Sequence, residues 1–318
     1  MAQVVPWSRL ERGHIAPLHV ALGHGRAVRR EVAVEGGLQE IRRLLLDRVE
    51  NSRGESRPGD RVEWVEVQRG RAIWVKLDGH ESAVGCDHVV CGMEATSFER
   101  LLREDGRPPE GGLLFAGDLE VSGHLATFSL VVREEIFPEP MARLVFALLD
   151  GDAPRPGPGL VVLERGPGPT AGTALLEASF HVPHGPLVED PGYLPRAAAE
   201  VRRKLVTVIP FLDEFVEEER PLAAVREMAA SVKSGEERPS EAARRCLPPV
   251  YRTHDPGPMG ACGLPYETRI RNVLLCSAQV LPGLGAEGAW NAAWGAARIL
   301  SDRDPGKSRW RSTRGLGF

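Results

Sequence analysis

No apolar run in the 318 residues approaches the about 18 that a membrane-spanning helix needs. No signal peptide opens the chain, which predicts a cytoplasmic protein. Cysteine is sparse, odd in number and scattered. Cys86 and Cys91 do not form a Cys-x-x-Cys pair, and Cys246, Cys262 and Cys276 stand alone. That pattern points to reduced thiols and argues against a disulfide framework or a zinc site. The net charge of −4 marks no general nucleic-acid binder. No Ser/His/Asp or Cys/His set carries a local signature, so no catalytic residue is assigned. His19, His24, His88 and His124 are isolated and read as structural. His181-Val182-Pro183-His184, with Glu189 or Asp190 nearby, could supply metal ligands. Pro183 and Gly185 make that stretch a loop with unconstrained geometry, and no metal is expected.

What the chain does have is a strand, a glycine turn and a helix near its end. Asn272-Val273-Leu274-Leu275-Cys276-Ser277 is followed by Pro282-Gly283-Leu284-Gly285-Ala286-Glu287-Gly288, then by the Ala-rich stretch Ala289 to Leu300. A helix starting after such a turn directs free backbone N–H groups and its positive dipole end at whatever lies in front. Glycines let that guest approach the backbone closely. Gly283-x-Gly285-x-x-Gly288 spells the dinucleotide fingerprint letter for letter. A true fingerprint opens a βαβ unit with an acidic residue about 20 positions on. Here Asp302-Arg303-Asp304-Pro305-Gly306 leads into a basic tail with no second strand, so this is not an NAD-binding start. A glycine turn that only seats a helix on a strand fits the same letters.

This stretch resembles the C-terminal flavin-contacting segment of the phytoene desaturase and amine oxidase-like FAD-dependent oxidoreductases. Upstream, Glu35-Gly36-Gly37-Leu38 and the helix Gln39 to Glu50 resemble that family's Gly-Gly helix. Arg61 to Val65 and Gly70 to Gly79 resemble its strand and hairpin passing the adenine. Asp87-His88-Val89-Val90-Cys91-Gly92-Met93 resembles the strand leading back out, with a helix expected from Ala95 to Arg103. The resemblance implies FAD as cofactor, with Gly36, Gly37, Val62, Pro282, Gly283, Leu284, Gly285, Glu287 and Gly288 as binding positions. It also implies a flavin-dependent oxidoreductase of the desaturase or isomerase kind, acting on a hydrophobic substrate. Glu287 is expected to charge the first helical turn. Asp in place of Gly285 is expected to abolish flavin retention while the fold persists.

Two departures shape the expectation. No Gly-x-Gly-x-x-Gly turn occurs in the first hundred residues; Gly23-His24-Gly25 lacks the third glycine. Ser277-Ala278-Gln279 stands where the family has an acidic residue after the C-terminal strand, and Gln279 bonds without charge. A helix end contributes about 1 kcal/mol toward a bound anion, against roughly 8 kcal/mol for a micromolar cofactor. A protein partner supplying the pyrophosphate-binding segment is therefore expected, giving a heteromer. A flavin-less binding or assembly subunit of the same fold is the alternative.

The expected fold is α/β in the mixed α+β sense. Residues 1–105 form a partial FAD-binding lobe and 106–265 a substrate lobe; 266–318 return to the first lobe. In the first, Ile41, Leu44, Leu45 and Val49 share one helix face, and strands run from Val62 to Val67 and Ala72 to Leu77. In the second, strands from Leu125 to Arg133, Arg143 to Leu149, Leu160 to Glu164 and Ala174 to Val182 suggest a mainly antiparallel sheet. A helix from Leu194 to Glu218, kinked or divided at Pro210, covers it. A large apolar cleft between sheet and helices would house the substrate. Turns or loops are expected at Asp152 to Pro158 and Gly166 to Gly172. The tail Lys307 to Arg314 is a solvated end or a peripheral contact with anionic lipid.

Overall fold

The computed structural model describes residues 8–10, 37–108, 119–139, 141–149, 160–190, 192–220, 242–243, 246–253 and 263–303. In chain order the elements are α1 (Gly37–Asn51), β1 (Val62–Gln68), β2 (Arg71–Leu77), β3 (Val84–Gly85), β4 (Val89–Cys91), α2 (Ala95–Glu99) and β5 (Leu102–Glu104). Then come β6 (Leu119–Arg133), β7 (Leu144–Leu148), β8 (Leu160–Pro167), β9 (Thr173–Pro183), α3 (His184–Glu189), α4 (Tyr193–Val208) and α5 (Leu212–Phe215). The last are β10 (Val216–Arg220), β11 (Pro249–Thr253), β12 (Val273–Leu275) and α6 (Gly285–Arg303). Helices combined with mostly antiparallel sheets make the mixed α+β fold that the sequence predicts. No described helix is long and apolar enough to cross a membrane.

The chain divides into two compact units: Met1–Ile15 with Asp118–Asp255, and Ala16–Gly117 with Pro256–Phe318. The unit with the glycine turn holds a four-stranded sheet ordered β3-β2-β1-β5 and a separate parallel pair, β12-β4. Strands β1 and β2 form a hairpin closed by Arg69 and Gly70, at φ 51° and 70°. Two consecutive left-handed residues make the tight turn whose twist matches the strands. The helix expected from Ala95 to Arg103 stops at Glu99, and Leu102–Glu104 is instead strand β5, parallel to β1. The Val65 N–H donates to the Leu101 carbonyl at 2.8 Å, and Leu102 is fully buried. Pairing with a partner distant in sequence overrides local helix propensity there.

The second unit is built on the fifteen-residue strand β6. The sheet order is β10-β6-β9-β8-β7, with β11 pairing along the first half of β6 on the edge that β10 takes further on. Strand residues alternate strictly in β9: Ala174, Leu176, Ala178, Phe180 and Val182 point into the core, and Leu175, Glu177, Ser179 and His181 point away. Helix α4 closes the core with Val201 and Leu205. It ends at Val208, two residues before Pro210, which cannot continue the ladder. Phe211 then turns left-handed at φ 65°. The stretch expected to run on as helix to Glu218 is instead the short α5 and β10, because the Val131–Val132 edge of β6 offers pairing for Val216 and Glu218. Where a substrate cleft is expected between sheet and helices, the described residues Phe128, Leu130, Leu176, Leu205 and Leu212 are buried in one packed core.

Candidate functional site

The path from β12 to α6 is set by backbone geometry before any side chain acts. After β12 the chain makes a short 3-10 turn, Pro282–Leu284, in which the Leu284 N–H donates to Leu281 O at 3.1 Å. Gly285 follows at φ 59° and donates its N–H to Pro282 O. That left-handed conformation is one an L side chain rarely holds, so glycine is required. Gly288 is required for a different reason. A Cβ there would run into the carbonyl oxygen of Leu281, so its absence seats the first turn of α6 on the preceding backbone. Pro282, Gly283, Gly285 and Gly288 are buried and Leu284 is half-buried, while Glu287 is exposed. Since Gly285 is buried and left-handed, Asp at that position would strain the fold itself.

Helix α6 buries a stripe of small residues and exposes its two tryptophans. Ala292 and Ala296 are fully buried, and Gly295 lies against the ring of Tyr266. Trp290 and Trp294 face out, 46% and 69% exposed.

Three polar side chains fix the strand that leads to the turn. Asn272 is buried and bonded to β2 and to the bend before β4: its Nδ2 donates to the carbonyls of Ala72 at 2.7 Å and Asp87 at 2.8 Å. Its Oδ1 accepts the Ala72 N–H at 2.8 Å. Arg271 donates its backbone N–H to Gly70 O at 3.0 Å and its guanidinium to Arg69 O at 2.6 Å. Gln279, expected in place of the family's acid, is turned inward. Its Oε1 accepts the Ala95 N–H at 2.7 Å, satisfying one of the orphan donors at the start of α2.

The remaining sequence candidates fall elsewhere in this unit. Gly36 lies outside the described residues; Gly37 is the first residue of α1. Val62 opens β1 opposite Leu77, at the far end of the hairpin from the Arg69–Gly70 tip that Arg271 holds. Seven strand residues separate the two ends by roughly 20 Å. So the structure brings Pro282, Gly283, Leu284, Gly285, Glu287 and Gly288 together as one turn, ties its approach to the hairpin tip, and leaves Val62 at the hairpin's open end.

Tested against a flavin, this turn offers the N-terminus of a nineteen-residue helix, which suits the electron-rich end of such a ring. It does not suit a diphosphate. Its charged side chain is the carboxylate of Glu287, and its glycines serve the chain's own backbone.

A second group of polar residues, missed by sequence reasoning, lies on the outward face of the large sheet in the other unit. Thr127 and Ser179 share a hydrogen bond at 2.7 Å, and Ser129 donates to Glu177 at 3.4 Å. His181 lies on the same face, and burial lowers its pKa from the ordinary 6.5 to about 4. A Cβ on Gly123 would collide with the His181 ring and with Val182 O. Gly123 lies two residues before the strand expected from Leu125; only with β6 extended back to Leu119 does it become a strand-interior glycine, the signal of such a close approach. The His181–His184 pair weighed as metal ligands is taken apart. His184 Nδ1 meets Nε2 of His124 at 3.0 Å, and Asp190 is held by Arg196 and the Gly192 N–H. His19, His24, Cys262 and the Lys307 to Arg314 tail lie outside the described residues.

No family model matches the chain, and no curated protein matches it. Among solved structures it is similar to the crystal structure of an oxidoreductase from Methanosarcina mazei, at 12% identity and a TM-score of 0.44. The match covers 81% of this chain and 55% of that one, so the chain spans about half the length of that protein.

Proposed function

We infer that the chain is a subunit or C-terminal portion of a flavin-dependent oxidoreductase, with FAD as cofactor and a hydrophobic small molecule as substrate. The observation that carries the reading is the succession of a buried strand, a left-handed glycine at Gly285 and the start of α6, resting on a parallel strand pair. This is the arrangement that aims helix N–H groups at a bound electron-rich ring. The reaction class is desaturation or isomerisation, by resemblance. When bound, the flavin supplies the hydride acceptor. This chain's share is to position one end of it and to keep water away.

The diphosphate grip falls to a protein partner, because Glu287 repels anions and no basic side chain stands in the turn. Purifying the chain alone and together with its native neighbours, and recording the flavin absorbance of each, tests the reading. Flavin bound only in the assembled complex supports it. A complex of stable composition without flavin overturns it.

A specific observation also favours the second reading, a flavin-less assembly subunit. The roles of Gly285 and Gly288 are fully met by the chain's own backbone. The same absorbance measurement separates the two.

A further inference from the structure

In the unit built on β6, the connection between β8 and β9 walls a cleft of about 680 Å³. The rest of the lining is Glu134 just after β6, Met141 and Arg143 just before β7, and Arg165 on β8. The β8–β9 connection is fixed by its own bonds. The Thr173 hydroxyl donates to Thr170 O at 2.6 Å, and the Gly168 N–H donates to Thr173 O at 3.1 Å. The Glu134 N–H donates to Gly172 O at 2.9 Å, which ties the end of β6 to the same turn. The charges of the cleft are unevenly matched. Leu144 stands opposite Glu164 in the β7–β8 ladder, so Arg143 stands opposite Arg165, and the Arg165 N–H donates to Arg143 O at 2.7 Å. Like charges directly opposed on adjacent strands repel. Arg165 is held by the Glu134 carboxylate, and its guanidinium lies 4.6 Å from the centre of the Phe137 ring. Arg143 is held loosely. Its guanidinium is 3.6 Å from the Glu164 carboxylate, beyond hydrogen-bond distance, and its side chain is 62% exposed. Two guanidiniums against the one carboxylate of Glu134 leave the lining with a single positive charge, in a chain whose net charge is −4.

We propose that this cleft binds a small organic carboxylate, and that Arg143 is the group that takes the anion. A guanidinium presents two parallel N–H donors that match the two oxygens of a carboxylate. Arg143 has that fork unused, while Arg165 stays fixed by Glu134 and adds positive charge beside it. A monoanion suits the single excess charge, whereas a phosphate dianion meets the Glu134 carboxylate. Met141, Pro167, Pro169 and Ala171 line the cleft with apolar side chains, which suit a short hydrocarbon body behind the carboxylate. A bound anion also relieves the repulsion between the opposed arginines. The glycine turn belongs to the other unit, so this site stands whether or not the chain holds a flavin.

The test titrates hexanoate into the full chain by isothermal calorimetry at low salt, with methyl hexanoate and inorganic phosphate as comparators. The expected result is saturable binding of hexanoate with a Kd of about 1 mM or below, as one charge-assisted fork on a small ligand supports. Methyl hexanoate, which has no charge, gives no saturable heat, and phosphate binds about ten-fold more weakly than hexanoate or not at all. Arg143→Met keeps the stem, removes the fork and weakens hexanoate binding about ten-fold. Arg143→Lys keeps the charge without the fork and weakens it about three-fold. Glu164→Gln releases Arg143 from its competing carboxylate and tightens binding about three-fold. Circular dichroism of the variants confirms that each is folded. No saturation by about 10 mM hexanoate, an ester that binds like the acid, phosphate that binds as tightly as hexanoate, or an Arg143→Met variant that binds like the parent overturns the proposal. Weaker binding by Glu164→Gln does the same, because it places the carboxylate away from Arg143.

Discussion

The side-chain amide of Asn272 is bonded twice to the backbone of Ala72, two hundred positions earlier, through Ala72 N–H to Oδ1 at 2.8 Å and Nδ2 to Ala72 O at 2.7 Å. It imitates a strand residue and joins the β1–β2 hairpin to the β4–β12 pair. Asn272→Asp replaces the Nδ2 donor with an oxygen facing the carbonyls of Ala72 and Asp87 in a buried site. We expect a loss of about 3–5 kcal/mol, and about 2–3 kcal/mol for Asn272→Ala. Urea denaturation followed by circular dichroism measures both. A loss under about 1 kcal/mol for the Asp variant would mean that this bracket holds nothing together.

Gln279 acts on the start of α2, since its Oε1 accepts the Ala95 N–H. Gln279→Leu leaves that buried donor unpaired and should lower stability by about 1–2 kcal/mol. Flavin content of any complex, normalised to folded protein, should stay unchanged. A selective loss of flavin would place Gln279 at the cofactor instead.

The two turn glycines should respond unequally. Gly288→Ala drives a methyl into Leu281 O, where both partners are backbone, and we expect a loss of about 3 kcal/mol or more. Gly285→Ala is strained by the positive φ of its backbone and should lose about 1–2 kcal/mol. Thermal melts of the two variants rank them, and the reverse order would refute the assigned roles.

Glu287 is the exposed charge of the turn. Under the proposed function, Glu287→Gln removes a repulsion worth about 1 kcal/mol from an approaching anionic cofactor, tightening FAD binding by roughly five-fold in the assembled complex. Fluorescence titration with FAD reads the change. An unaltered or weakened affinity would place the cofactor's phosphates away from α6.

His181 gives the chain an acid limb. Burial holds its pKa at about 4, below the ordinary 6.5, so the unfolded chain takes up a proton that the folded one refuses. Stability from this group is complete above pH 6.5 and is lost as pH falls toward 4, on the order of 3 kcal/mol in all. His181→Asn should flatten the stability profile across that window in denaturant titrations at several pH values. A profile as steep as the parent's would assign the acid limb to other groups.

Much of the architecture was legible because it rests on local signals. Alternation in Ala174 to Val182, the Arg69–Gly70 hairpin turn and the helical spacing of Ile41, Leu44, Leu45 and Val49 each name their element. The sequence could not show which face found a partner. Leu44 and Leu45 keep their helical period yet stand 52% and 50% exposed on α1. Leu102 and Val216 read as helix because their strand partners, Val65 and Val132, are distant in sequence. At the candidate site the glycine turn was visible, but the function of each glycine was not. Gly288 answers to a carbonyl seven positions back, and Gly285 to a torsion angle. The sequence shows His181 only as a possible metal ligand in a loop, because its burial depends on Gly123 in the neighbouring strand.

The outward tryptophans of α6 decide how this protein can be watched. Among the described tryptophans Trp74, Trp290 and Trp294 are exposed, so these three indoles already sit largely in water in the native chain. Their emission will change little when the chain unfolds. It will shift to shorter wavelength when another surface covers α6, which makes intrinsic fluorescence a poor thermometer of folding and a direct gauge of assembly.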